Sequence, residues 1–368
     1  MNESLYTKSG ILLNAVKAPY EIFMKLCENY EPDELLSGNE NFFAELGLNK
    51  NIQLKLSELI NKNWLEGEMS KIEKFDAEFI TAKDIDYPAK LKDLPHPPIG
   101  LYVKGNLNIS LPSIAIVGTR KCSDYARNTA TNLAKAIARK GIIIISGGAR
   151  GIDTAAHRGC LDEDGKTIAV FGTGIDKIYP AENRDLFLRI LDRGALISEF
   201  PMGMGGTSWH FPMRNRIIVA LASRVIVAES PEGGGAMLTA RESLKLGRET
   251  WSIPGRIVDE VSKGTNMLLN EGAKSLVGLD EFIETITGKP EQLTLNFDDN
   301  KNTHKISETK LTDSEKKVYS FLQRQGNILL DSIVIGTGLD FSEVQEALIT
   351  LEAEGFIINS SGRYSATI

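Results

Sequence analysis

Arginine is missing from the first 119 residues of this chain of 368, although the sequence contains sixteen and fourteen of them fall between Arg120 and Arg256. Guanidinium is a planar, permanently charged fork suited to phosphate, so an anion site is expected in that central stretch; the alternative is that these side chains merely decorate helix surfaces. Cysteine is nearly as scarce. Cys27, Cys122 and Cys160 are odd in number, share no CxxC spacing and do not pair with nearby histidines, which argues against a disulfide framework and against a zinc site. No run approaches the ~20 apolar residues of a membrane span. The start, MNESLYTKSG, lacks a charged segment followed by an apolar one, so the chain is expected to be cytoplasmic, without membrane insertion. Three motifs of nucleotide and acyl chemistry are also absent. The stretch GTRKCSDYAR is not GxGxxG, and neither GxxxxGK[ST] nor GxSxG occurs, which argues against nicotinamide binding, phosphoryl transfer and esterase chemistry.

The net charge of -7 is unevenly spread. Residues 1–75 carry eight Lys and twelve acids, residues 311–368 four basic and eight acidic side chains, and the remainder is close to neutral. Both ends are acidic and the middle is not. The first ~75 residues read as short amphipathic helices such as EIFMKLCENY and NIQLKLSELINKNW. Two β-like runs follow, AEFIT and IGLYVKG, around a proline-punctuated stretch. From Ile114 buried strands alternate with helices: IAIVG, GIIIISGG, TIAVFGTG, ALISEF, RVIVAES and TWSIPG. That pattern predicts an α/β fold with a Rossmann-like parallel sheet covered on both faces. Residues 289–310 turn polar and aperiodic, as a linker does. Residues 311–368 predict a winged helix-turn-helix, three helices and a closing hairpin. The expected domains are therefore 1–75, 76–288 and 311–368. In the last, FSEVQEALITLEAEG holds Glu343, Glu346, Glu352 and Glu354 and no basic residue, a poor surface for duplex DNA.

Open parallel sheets bind ligands outside the carboxyl ends of their strands. Four glycine-bearing segments follow strands here: Gly118-Thr119-Arg120, Ser146 to Asp153, Gly172-Thr173-Gly174 and Pro231 to Gly235. Any one of them merely terminates a strand; four together predict an anion site, with backbone N–H groups and a helix N-terminus as donors. His157, four residues after Asp153, is open to a catalytic pairing, but a structural histidine is the commoner case.

GTR at 118–120, SGGARGID at 146–153, GTGIDKIYPAEN at 172–183, SEFP at 198–201, FPMRNRII at 211–218 and LTA at 238–240 occur in the order of the bacterial DNA-processing A (DprA/Smf) family, which the chain resembles over about residues 79–280. The resemblance implies a sterile-alpha-motif-like (SAM-like) helical start, a Rossmann-like core that dimerises, and a winged-helix end. It further implies a non-catalytic protein that binds single-stranded DNA and helps load RecA recombinase during natural transformation and homologous recombination, with no cofactor or metal. Carried over by position, Arg120 would clamp a backbone phosphate, supported by Thr119 and the Gly118 turn. The Ser146, Gly147 and Gly148 loop would donate N–H groups. Lys177 suits a neighbouring phosphate or is simply solvated. Asn183, counted with the binding set, alternatively shapes its loop with Tyr179. Arg214 is expected to face the strand and Asn215 to cap or brace the loops. Three positions depart from the family: His96 where Asp is common, Met213 where an extra Arg is common, and Gly234 in place of Ser. The last brings the segment near the PGGxGT signature of phosphoribohydrolase-like proteins. The rival reading is therefore an enzyme that cleaves nucleoside monophosphates, with Glu232 or Glu242 as its acid.

Overall fold

The computed structural model describes residues 2–107, 111–287, 311–325, 328–353, 356–360 and 363–366. The expected linker at 289–310 lies outside them. Residue contacts divide the chain into two compact units, 1–290 and 291–368.

The first unit opens with helices α1 (Asn2–Ala15), α2 (Tyr20–Asn29), α3 (Pro32–Leu36), α4 (Glu40–Leu46), α5 (Lys50–Asn61) and α6 (Trp64–Lys74). Asn39 and Asn49 cap α4 and α5 by accepting backbone N–H bonds. Then come β1 (Glu78–Thr81), β2 (Gly100–Gly105), β3 (Ser113–Val117), α7 (Asp124–Ala138), β4 (Ile143–Ser146), α8 (Ile152–Leu161), β5 (Thr167–Phe171), α9 (Arg184–Leu191) and β6 (Ala195–Ser198). The unit closes with α10 (His210–Leu221), β7 (Arg224–Val227), α11 (Gly235–Lys245), β8 (Glu249–Ser252), α12 (Lys263–Asn270), β9 (Lys274–Ser275) and α13 (Leu279–Thr287).

The strands form one nine-stranded sheet in the order β1-β2-β6-β5-β4-β3-β7-β8-β9. From β6 to β9 every neighbouring pair is parallel; β1 and β2 add an antiparallel edge. The parallel strands are continuously apolar because both faces are covered. Ile114, Ile116 and Ile144 pack under α7 and α8, while Ala115, Val117, Ile143 and Ile145 face α10, α11 and the side that also holds Leu12, Leu13 and Phe23. The amino-terminal helices thus share a core with the sheet. β3 is the pivot: the chain winds outward through β4, β5 and β6, then returns to place β7 on the other side of β3. That reversal opens a crevice at the carboxyl end of β3.

The second unit contains α14 (Asp313–Gln325), β10 (Ile328–Leu329), α15 (Leu330–Thr337), α16 (Phe341–Ala353), β11 (Ile357–Ser360) and β12 (Arg363–Ala366). Its sheet order is β10-β12-β11. Val344, Ala347, Leu348 and Leu351 of α16 are buried with Val318 and Leu322 of α14, which leaves Glu343, Glu346 and Glu352 outward. Among the described residues no helix is long and apolar enough to cross a membrane.

Candidate functional site

At the β3 switch point lies a cleft of about 550 Å³. Val117, Gly118, Thr119, Arg120 and Lys121 form one wall; Phe211, Pro212, Arg214, Asn215 and Ile218 of α10 and its approach form another. Pro231, Gly234, Gly235, Ala236, Leu238 and Thr239 close it, with Ala149, Asp153 and Val261.

The turn after β3 is held from behind. Thr119 donates its N–H to the Glu229 carbonyl at 2.8 Å, and the Glu229 carboxylate accepts the Ser123 N–H and hydroxyl, each at 2.7 Å. Ser123 also caps α7 by accepting from Ala126 N–H at 3.1 Å. Any β-carbon at position 118 would lie 2.5 Å from Ile152 Cγ1, so glycine is needed for the close approach of α8. Arg120 is exposed and has no carboxylate partner among the described residues; its guanidinium stands 5.0 Å from the centroid of the Phe211 ring. Phe211 in turn meets Tyr179, ring centroids 5.6 Å apart, so an aromatic path joins the β3 turn to the loop after β5. Sequence reading missed both rings as site residues; the FPMRNR segment that carries Phe211 was the available signal.

The loop after β4 turns inward instead. Ser146 is fully buried and spends its hydroxyl on the Ile116 carbonyl at 2.7 Å. The N–H groups of Gly147 and Ala149 both go to the Asp153 carboxylate at 3.2 Å. The expectation that this loop offers its N–H groups to a ligand is not met at Gly147, whose N–H the buried Asp153 carboxylate takes, and the Ser146 hydroxyl is likewise spent inside the protein. The Gly148 carbonyl accepts from Asn183 Nδ2 at 3.0 Å, and the same nitrogen reaches Thr154 Oγ1 at 2.8 Å. Asn183 is buried and acts as a brace on this loop, the second of its two readings.

Arg214 is the centre of that brace. Only 4% exposed, it donates from Nη1 to the carbonyls of Gly147, at 2.8 Å, and Val170, and from Nε to Asn215 Oδ1 at 3.2 Å. Glycine at 147 is required because a β-carbon there would strike the guanidinium. Burial pulls the Arg214 pKa down to about 10 against the pull of Asp153. Burial likewise raises the Asp153 carboxyl, outweighing Arg214 and its two backbone donors. His157 is pulled down to about 3 by burial and then by Arg214, and its Nδ1 sits 2.7 Å from Thr167 Oγ1. It is a neutral interior side chain bonded to a strand. Arg214 was expected to face a strand of DNA; it faces the protein, with only its edge on the cleft.

Asn215 is half-buried on the cleft wall, its Oδ1 held by Arg214. Lys177 is exposed and unpaired among the described residues, but it stands on the turn after β5 and does not line the cleft. The structure thus brings Gly118, Thr119, Arg120, Arg214 and Asn215 together, sets Lys177 apart, and places Ser146, Gly147, Gly148 and Asn183 behind them. Glu232 and Glu242 do not line the cleft either. Among the described residues no three His, Cys, Asp or Glu side chains cluster closely enough to hold a metal.

The sequence model of the family described as DNA recombination-mediator protein A matches residues 78–287. Protein Smf of Synechocystis is 33% identical over 314 residues, covering 77% of this chain and 79% of that protein. The solved structure of DNA processing protein A from Streptococcus pneumoniae aligns with a TM-score of 0.65 at 32% identity, over 77% of this chain and 96% of that one. DNA processing protein A of Helicobacter pylori, solved for its single-stranded DNA binding mode, aligns with a TM-score of 0.53 at 30% identity, over 57% of this chain and 96% of that one. With more than half of its length matched, and with the doubly wound sheet and its glycine-edged crevice in place, this chain belongs to the DNA recombination-mediator protein A family.

Proposed function

We propose that this protein binds single-stranded DNA without catalysing a reaction on it, and that it does so in the cytoplasm as a homodimer that passes the strand to RecA recombinase during transformation and recombination. The observation that carries the reading is Arg120: an exposed guanidinium, without a carboxylate partner among the described residues, at the mouth of the β3 crevice and seated over Phe211. Phosphate needs a charged donor with no internal partner, and a base needs an aromatic face; both occur side by side here. Gly118, Thr119 and Asn215 supply shape and polar groups, and Lys177 extends the positive rim along the strand's path. Ser146, Gly147, Gly148, Asn183 and Arg214 keep the floor rigid. The relatives named DNA processing protein A, and the binding mode reported for the Helicobacter protein, support the same class of ligand. The proposed domain division remains 1–75, 76–288 and 311–368 about a linker.

Titration of a fluorescent single strand at several salt concentrations tests this. Log affinity is expected to fall linearly with log salt, by about 0.7 for each phosphate neutralised. Binding that ignores salt, or that favours duplex over single strand, would overturn the reading.

A further inference from the structure

One wall of the cleft is the start of α11, where two N–H groups find no acceptor among the described residues. Gly234 donates to the Pro231 carbonyl at 2.9 Å and Met237 to the Gly234 carbonyl at 3.0 Å. The N–H groups of Gly235 and Ala236, the first two helical positions, have no acceptor among the described residues, and the N-cap Gly234 brings no side chain to supply one. The first turn holds no acid; of the two carboxylates of the preceding loop, Glu229 is spent on Ser123 and Glu232 is exposed and outside the cleft lining.

A second observation is independent of the helix end. Thr239 lines the cleft at 2% exposure, and its hydroxyl forms no hydrogen bond among the described residues. One turn further on, buried Ser243 shows the usual arrangement, its hydroxyl 2.8 Å from Thr250 Oγ1. Thr239 stands four residues after Gly235, hence on the same helix face, and side chains on a helix lean toward its amino end. The unpartnered hydroxyl and the two unpartnered N–H groups therefore share one corner.

The geometry points to a phosphate monoester site at the start of α11, with Gly235 N–H, Ala236 N–H and the Thr239 hydroxyl as its donors. A monoester presents three terminal oxygens and close to two negative charges, matching three donors at the positive end of a helix dipole; a phosphodiester presents only two such oxygens. The monoester is the phosphorylated end of a strand or a free nucleoside monophosphate, and the cleft volume is that of a site for one small ligand. This inference rests on the strand-binding reading, because it assigns a strand's terminus to the same cleft.

The test uses the full chain and oligothymidylates of one length carrying a 5′-phosphate, a 3′-phosphate or only hydroxyl ends, followed by anisotropy, with thymidine 5′-monophosphate titrated by calorimetry. At least one phosphorylated end is expected to bind about tenfold more tightly than the hydroxyl end, or the monophosphate to bind measurably. Which probe gains identifies the source. Thr239→Val is expected to abolish the difference between phosphate and hydroxyl ends, and Thr239→Ser to keep it. Gly235→Pro removes one donor at a helix position that accepts proline and where a β-carbon meets nothing within 4 Å, so it tests the site without altering the core. Strands that bind equally whatever their ends, with no binding of the monophosphate, overturn this inference and leave strand binding standing. Monophosphate bound without any strand affinity does the reverse. Retention of the end preference in both Thr239→Val and Gly235→Pro also overturns the site.

Discussion

The loops after β3 and β4 start from the same local recipe, a buried strand, one or more glycines and a helix, yet they end with opposite jobs. In the β3 turn the backbone is anchored from behind by Glu229, and the Arg120 side chain is left free at the surface. In the β4 loop the donors fold inward onto Asp153 and the acceptors onto Arg214 and Asn183, so the loop is itself part of the interior. The lesson is that a glycine-rich strand end signals close backbone approach; whether a ligand or the protein makes that approach depends on what a distant helix inserts.

The comparison is broken most severely by Arg214→Met. It should leave the Gly147 and Val170 carbonyls without a donor and Asp153 without its compensating charge, at a cost of about 3–5 kcal/mol in urea unfolding. A loss below about 1 kcal/mol would show that the β4 loop is not held by this side chain. His157 gives a pH signature to the same region. Its folded pKa, about 3, lies below the ordinary value near 6.5, so the unfolded state takes up a proton first as pH falls. Stability is then complete above about pH 6.5 and declines below it, by about 2 kcal/mol at pH 5. Asp153, raised by burial, acts in the opposite sense and does not involve this proton. A His157→Gln variant should lose that part of the difference between pH 7 and pH 5, and an unchanged profile would show that the histidine is not kept neutral by the fold.

On the β3 side, Arg120→Ala should leave unfolding unchanged while weakening single-strand binding about tenfold, equally for all base compositions. A loss confined to one composition would point to base recognition. The smallest effect is expected from the second unit. On α16 the outward residues include Glu343, Glu346 and Glu352, a surface that repels the polyanion a helix-turn-helix normally meets. A chain ending near Pro290 should keep single-strand affinity within about twofold. The isolated segment from Lys310 should bind duplex more weakly than about 100 µM, the weak end of non-specific DNA binding. Tight duplex binding by that segment would reverse the assignment.

Much of this was legible before any coordinates. Runs such as IAIVG and GIIIIS are too apolar to face water on either side, so they had to be covered strands, and the alternation with helices left a parallel sheet as the economical arrangement. The seating of α16 on α14 followed from apolar residues spaced at 3.6. The cleft's glycines and Arg120 were legible because their motif is contiguous. What one-dimensional spacing could not carry was direction. Arg214 meets the Gly147 carbonyl across 67 residues of sequence, and Asn183 meets Gly148 across 35. Phe211 comes under Arg120, and Thr239 into the cleft, only because α10 and α11 pack on one face of the folded sheet.

The sequence by itself determined which segments are strands and helices, which strand ends carry glycine, and where arginine is concentrated, because these depend on local propensity and on the period of apolar residues. Tertiary structure alone decided which of those glycine loops spends its donors inside the protein. That choice depends on desolvation: once Arg214 and Asp153 are buried, they must take their partners from the β4 loop, whereas the Arg120 guanidinium and the first N–H groups of α11 have no partner among the described residues.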